Sequence, residues 1–169
     1  MTTGKYQKNL SIVYRSLKSL VIYAKNARTH SEEQIEKIVS SIKKFGWTNP
    51  ILLDEAGEVI AGHGRILAAE KIGFDPVPTI TLSGLTEAEK KAYRLADNKL
   101  PLHAGWDLDL LTMELDDLLS EKFDLSLTGF SVEEIDQMLN IDFAPGDEGD
   151  QGKLDQLEAK LCPHCGGVL

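Results

Sequence analysis

The sequence predicts an α+β protein, with a sheet assembled from its first half and helices filling its second. Three observations carry that prediction. Apolar residues come in short runs or alternate up to Leu82, and beyond Thr86 they recur at helical spacing. Helix-start signals of the Ser/Thr-x-x-Glu/Gln type stand at Ser31, Thr86 and Ser131. Turn residues separate the apolar runs throughout the first half.

Taken in order, Asn9 to Arg15 ("NLSIVYR") alternates as a strand does, and "SLVIY" up to Tyr23 extends or follows it. Ser31 and Gln34 form a capping box for a helix. Its apolar residues Ile35, Ile38, Val39, Ile42 and Phe45 share one face, and Gly46 suits its end. Residues 51–53 and 58–61 read as two short strands joined by a turn through "DEAG". "RILAAEKIG" reads as a helix closed by Gly73, and Val77 to Leu82 as another strand. Thr86 and Glu89 cap a helix ending near Asn98, Leu108, Leu111, Leu115 and Leu118 fall on one face of the next, and Ser131 with Glu134 caps "VEEIDQML". "IDFAPGDEGDQGK" is acidic and rich in Gly and Pro, the composition of a linker. The expected organisation is a core over 9–84, a helical subdomain over 85–140, and an acidic linker and tail over 141–169.

At 169 residues and 18.6 kDa the chain can bury one ordinary core with a small appendage. No apolar run approaches the roughly 20 residues that cross a bilayer, and "MTTGKYQKNL" lacks the apolar centre of a signal peptide, so a cytoplasmic location is expected, with no membrane partner. The net charge of −9 is unevenly spread: residues 1–50 hold nine Lys/Arg against three Asp/Glu, or +6, and the rest hold nine against 24, or −15. That balance excludes loose coating of DNA but leaves a basic N-terminal face able to meet phosphate.

"EVIAGHGRILAAEKIG" places Gly62, His63, Gly64 and Arg65 where a strand pattern meets a helix pattern. A helix N-terminus exposes unpaired N–H groups and partial positive charge, and anions bind there readily. Two glycines open the backbone to close approach, Arg65 offers a planar fork for phosphate oxygens, and His63 can donate a hydrogen bond or move a proton. The spacing fits neither GxxxxGK[ST] nor GxGxxG. On chemistry alone a phosphate cradle and a plain tight turn with solvated His and Arg fit equally.

The run "NARTHSEEQIEKIVSSIKKFGWTNPILLDEAGEVIAGHGRILAAEKIGFDPVPTI" resembles the ParB/sulfiredoxin superfamily. The likeness is to the ParB-like N-terminal (ParB-like nuclease) domain of phage and mobile-element type, found fused to DNA methyltransferases. It runs from about Leu10 to Leu139, in the order Asn-x-Arg, amphipathic helix, Gly-x-x-x-Pro-Ile, Gly-x-x-Arg-x-x-Ala, Val-Pro. The resemblance implies a small mixed sheet with helices, followed by a helical C-terminal half. It also implies a nucleotide site: Gly62, His63, Gly64 and Arg65 against phosphates, Trp47, Thr48, Asn49 and Pro50 beside the base, and Asn26, Arg28 and His30 lining the same cleft. Asp97 and Asn98 occupy the place of a Glu-Asn pair that helps hold metal and triphosphate in the partition proteins. Departures exist. The partition proteins carry Gly-Glu-Arg-Arg where this chain has Gly-His-Gly-Arg, which leaves CTP and hydrolysis open. The catalytic cysteine of sulfiredoxins has no counterpart, and a free-serine kinase of the superfamily carries a Gly-His-His-Arg type motif that keeps ATP chemistry in play.

Asp97 and Asn98 are hard oxygen donors suited to Mg²⁺, or else the residues of a helix C-terminal turn. Trp47 and Trp106 could stack on a base, but a lone Trp after a helix is usually a partly buried anchor. Cys162 and Cys165 in "LCPHCGGVL" make half of a zinc knuckle, two of the four ligands a closed site requires. No helix-turn-helix signature is evident after the first domain: between Trp106 and Asp155 there are 15 acids against two lysines, whereas a recognition helix carries bases.

The expected function is therefore binding of a nucleoside triphosphate (CTP or ATP) with Mg²⁺, with NTPase activity in DNA metabolism or modification of a phage or mobile element. His63 and Asp97 are the expected catalytic groups. The alternative is a non-catalytic DNA- or partner-binding module serving a DNA methyltransferase. A second copy of the chain, as a homodimer, is a further candidate partner under either reading. Nuclease and free-serine kinase activities are the remaining readings; no carboxylate cluster in the sequence suits two-metal cleavage.

Overall fold

The computed structural model describes residues 10–139. The linker and the Cys162–Cys165 half-knuckle lie outside the described residues.

Four strands form the sheet: β1 (Val13–Arg15), β2 (Ile51–Leu53), β3 (Val59–Ala61) and β4 (Val77–Thr81). Their order is β1-β4-β2-β3, with β4 parallel to β2 and both outer pairs antiparallel, so the sheet is mixed. The strand expected from Asn9 shrinks to Val13–Arg15. Asp75 explains its end: its carboxylate accepts from Leu17 N–H at 2.9 Å and Ser16 Oγ at 3.0 Å, pulling the chain into a 3-10 turn at Leu17–Ser19. "SLVIY" accordingly makes only a bridge, with Val21 paired to Glu58 beside β3.

Helix α1 (Glu32–Phe45) and helix α2 (His63–Ile72) pack on one another. Ile51, Leu53, Val59, Val77, Ile66 and Ala69 close one core between sheet and α2, and Ile35, Val39, Ile42 and Ala68 close a second between α1 and α2. Each fully buried Ile or Leu contributes roughly 1.5–3 kcal/mol. Trp47 packs against both cores, stacks on Phe74 at 5.3 Å, and donates its indole N–H to Asn49 O at 2.8 Å. Its stacked ring and bonded donor fit the anchor reading, and it also borders the hollow at the start of α2.

The second half is helical as expected: α3 (Glu87–Lys99), α4 (Leu108–Ser120) and α5 (Val132–Leu139). Capping boxes form at Thr86/Glu89 and Ser131/Glu134. At Ser31 only half forms: Ser31 Oγ accepts from Gln34 N–H at 3.1 Å, while the Gln34 side chain turns to His30 Nδ1 at 2.9 Å. Helix α3 runs to Lys99, so Asp97 and Asn98 sit in its C-terminal turn as one reading expects, but in helical rather than left-handed conformation; the Asn98 amide donates to Arg94 O at 2.8 Å, as a helical side chain can. In α4, Leu115 is buried and Leu111 and Leu118 half-buried, but Leu108 stays 59% exposed. The helical half meets α1 where Phe123 stacks on Phe45 at 6.3 Å, beneath Lys44. No described helix is long and apolar enough to cross a membrane.

Candidate functional site

The Gly-His-Gly-Arg joint is the start of α2 itself. Gly62 is the N-cap at φ +105°, a conformation L side chains rarely adopt, and His63, Gly64 and Arg65 form the first turn, earlier than the expected start at Arg65. Gly64 is required for a different reason. A Cβ there would stand 3.0 Å from His30 Cε1 and 3.1 Å from Ile38 Cδ1, so the missing side chain lets α1 and His30 close on the turn.

A cleft of about 440 Å³ opens at this helix start. Asn26, Arg28 and His30 enter it from the segment before α1, Thr48 and Asn49 from the segment before β2, Gly62–Arg65 from α2, and Asp97 with Asn98 from the last turn of α3. Thus every nominated nucleotide residue lines one hollow except Pro50, which lies outside it as the chain turns into β2. Asn26 holds the first wall in shape: its Oδ1 accepts from Arg28 N–H at 3.2 Å and its Nδ2 donates to Arg28 O at 3.1 Å.

Its electrostatics favour an anion. Burial pulls the Arg65 guanidinium below its ordinary value while the Asp97 carboxylate opposes that shift, and Arg65 Nε is buried without a partner. A guanidinium remains charged under such a shift, so the cleft holds an uncompensated donor. Burial, then the neighbouring His30 and Arg94 charges, lower the His63 imidazole pKa, and its Nε2 is also buried and unpartnered. Neutral His63 can therefore accept or donate a proton toward the cleft. Among the described residues no three His, Cys, Asp or Glu side chains gather to hold a metal unaided. Asp97 and Asn98 nonetheless fit Mg²⁺, which is held by one or two protein oxygens and completes its shell with phosphates and water.

Sequence reasoning missed part of the wall. Gln34, Lys37 and Ser41 of α1 line the cleft, as do Leu127–Gly129 between α4 and α5, and Lys37 Nζ donates to Gly129 O at 3.2 Å. Lys37 lies three positions after Gln34, on the same side of α1, which was the available signal for it; Gly129, ninety-two positions away, left none.

The fold defines a ParB/sulfiredoxin-like α+β domain, and the comparisons agree. The family model "ParB N-terminal domain" matches residues 4–99, and "ParB-methyltransferase HTH domain" matches residues 109–163. The chain belongs to the ParB N-terminal domain family. It is 61% identical over 84 residues to the ParB-like nuclease domain-containing protein YnaK of Escherichia coli K12, covering 50% of this chain and 97% of that one. It is 34% identical over 71 residues to the nucleoid occlusion protein of Bacillus cereus AH187, covering 40% of this chain and 24% of that protein. Among solved structures, it is similar to the C-terminally truncated chromosome-partitioning protein ParB of Caulobacter crescentus complexed with CTP-gamma-S, with TM-score 0.62, 20% identity and 76% of each chain covered, a likeness of fold. The match over 109–163 corrects the expectation that no helix-turn-helix follows. That expectation rested on the acidity of these helices, but the motif is a spacing of helices and turns, which charge does not reveal.

Proposed function

We propose that the cleft binds a nucleoside triphosphate, CTP or ATP, together with Mg²⁺. The observation that carries this reading is the buried, unpartnered Arg65 Nε beside the first turn of α2 in a hollow of about 440 Å³. Arg65 and the α2 amides would take phosphates, Asn26, Arg28 and His30 one side of the nucleotide, and Thr48 and Asn49 the base side. Asp97 and Asn98 would hold Mg²⁺, which when bound neutralises charge on the phosphates. Neutral His63 would hydrogen-bond the phosphates or take a proton from an attacking water, which makes NTP hydrolysis the activity to look for. This reading puts the protein in the cytoplasm, in the DNA metabolism of a phage or mobile element, as a core over 9–84, a helical subdomain over 85–140 and a tail over 141–169.

Calorimetry of the native chain and Arg65→Ala with CTP, ATP, GTP and UTP in Mg²⁺ tests the proposal, with phosphate release followed with and without DNA. Tight binding of one nucleotide, weakened at least about tenfold by Arg65→Ala, is expected from loss of a charge-assisted fork. No binding to any of the four would overturn it.

A second reading, a DNA- or partner-binding module serving a DNA methyltransferase without turnover, is favoured by the match of residues 109–163 to the ParB-methyltransferase HTH domain. DNA binding without phosphate release would select it.

A further inference from the structure

A second hollow, of about 410 Å³, shares Asn26, Arg28 and Asn98 with the cleft and takes Tyr23, Leu95 and Leu102 as its apolar lining. Its charge is one-sided. Lys25, Lys91 and Lys99 stand around it with Arg28, no acidic side chain among the described residues lines it, and the chain as a whole carries −9. All three lysines are exposed, and none has an ion-pair or hydrogen-bond partner among the described residues. The spacing Lys91, Leu95, Lys99 sets two of these cations and an apolar residue along one stripe of α3.

Arg94 adds an observation of a different kind. It lines the hollow, is only 6% exposed, and lies 3.7 Å over the Tyr23 ring. Its Nε donates to Val59 O at 3.2 Å and one Nη pairs with Glu58, but the other, Nη1, is buried without a partner. An orphaned donor of a buried guanidinium is costly unless something supplies an acceptor.

We propose that this hollow is a second anion site that takes a nucleotide unit, a phosphate joined to a flat base, supplied either as free nucleotide or as part of a nucleic-acid strand. The lysines would meet phosphate, and Tyr23 with the two leucines would carry the base, the combination that holds unpaired nucleotides on other proteins. Its volume is of small-molecule size. Because Asn26, Arg28 and Asn98 face both hollows, an occupant of one touches the wall of the other. The inference does not depend on what fills the cleft.

The test uses the full chain carrying Arg65→Ala, titrated at low salt with thymidine monophosphate and, separately, with a labelled short oligothymidylate. The same titrations follow with Lys91→Glu/Lys99→Glu added, and with Lys18→Glu/Lys43→Glu, an equal charge change at exposed positions outside both hollows. Binding of both ligands identifies free nucleotide as a source, and binding of the strand alone identifies nucleic acid. In either case the α3 reversals should weaken it at least about tenfold and the control reversals less than about twofold. No binding of either ligand, or equal loss in both double variants, would overturn the proposal. Neither result depends on the Arg65 comparison that tests the cleft.

Discussion

His63 is a titratable ring in the first turn of a helix whose N-terminus already carries partial positive charge, and burial adds to the cost of protonating it. Its folded pKa lies below the ordinary 6.5, so the unfolded chain binds the extra proton first as the medium is acidified. The stability linked to this residue is thus complete above 6.5 and is lost as pH falls through the depressed folded value. Thermal denaturation of the native chain and His63→Gln at about pH 7.5 and about pH 5 should show the native Tm falling more steeply than the variant's. Parallel falls would mean that another group carries the acid sensitivity. His30 owes its position to two neighbours: Gln34 holds its Nδ1 at 2.9 Å, and Gly64 leaves it room. The resemblance already named His30 and Gly64 as cleft residues. It could not show that Gln34 would abandon its capping partner, because both arrangements satisfy one side-chain amide and only the tertiary approach of α2 selects between them.

At the scale of elements, α3 is attached to the sheet by charge. Its two buried residues are Lys90 and Arg94. Lys90 Nζ contacts Asp54 Oδ2 and Glu87 Oε1, both at 2.8 Å, and these hydrogen bonds hold its pKa well above the ordinary lysine value. Burial pushes the Asp54 carboxyl up, but the Lys90 hydrogen bond and the Glu58 and Ala56 amides outweigh it, leaving its pKa low. Asp54 therefore does two jobs: it shapes the β2–β3 turn by accepting from Ala56 N–H at 2.9 Å and Glu58 N–H at 2.8 Å, and it seats the helix that carries Asp97 and Asn98. Asp54→Ala should cost roughly 2–3 kcal/mol in urea unfolding, by stripping the buried pair and two turn bonds together. If Asp97 and Asn98 act in the cleft, the variant should also lose nucleotide affinity while Arg65 stays in place. A change below about 0.5 kcal/mol would show that the pair is not holding α3. Helix starts were legible because Ser31, Thr86 and Ser131 cap locally, and α1 because its apolar face repeats. The docking of α3 was not, since Lys90 and Arg94 look like solvent-facing residues until the hairpin carboxylates are placed beside them. The length of β1 was equally hidden, as it is set by Asp75, some sixty positions downstream.

Across the whole molecule, burial is concentrated in the sheet and α2, where Ile51, Leu53, Val59, Ala68, Ala69 and Val77 are fully enclosed. Beyond α3, the described residues bury only Leu115 in α4 and Ile135 in α5, and Phe123, Lys44 and Lys37 make the described links to α1. Native-state hydrogen exchange should accordingly find the α4 and α5 amides opening at least about tenfold more readily than those of β2, β4 and α2, and Phe123→Ala should widen that gap. Equal protection in both halves would show a single cooperative unit. The Gly62–Arg65 turn was readable from its own chemistry, whereas gathering the segments at 26–30, 48–49 and 97–98 into the same hollow rested on the resemblance, since they are scattered along the chain. The contribution of Leu127–Gly129 was not readable, because nothing local to those residues says where α4 and α5 will lie. The chain's two tryptophans divide along the same boundary. Trp47 is wedged between both cores and borders the cleft, whereas Trp106 is 69% exposed and tilts against Phe130 at 5.5 Å in the other half. One indole thus emits from a sheltered setting and the other from water, so the unlabelled protein carries its own pair of spectrally separable lamps, one for the occupancy of the hollow and one for the attachment of its helices.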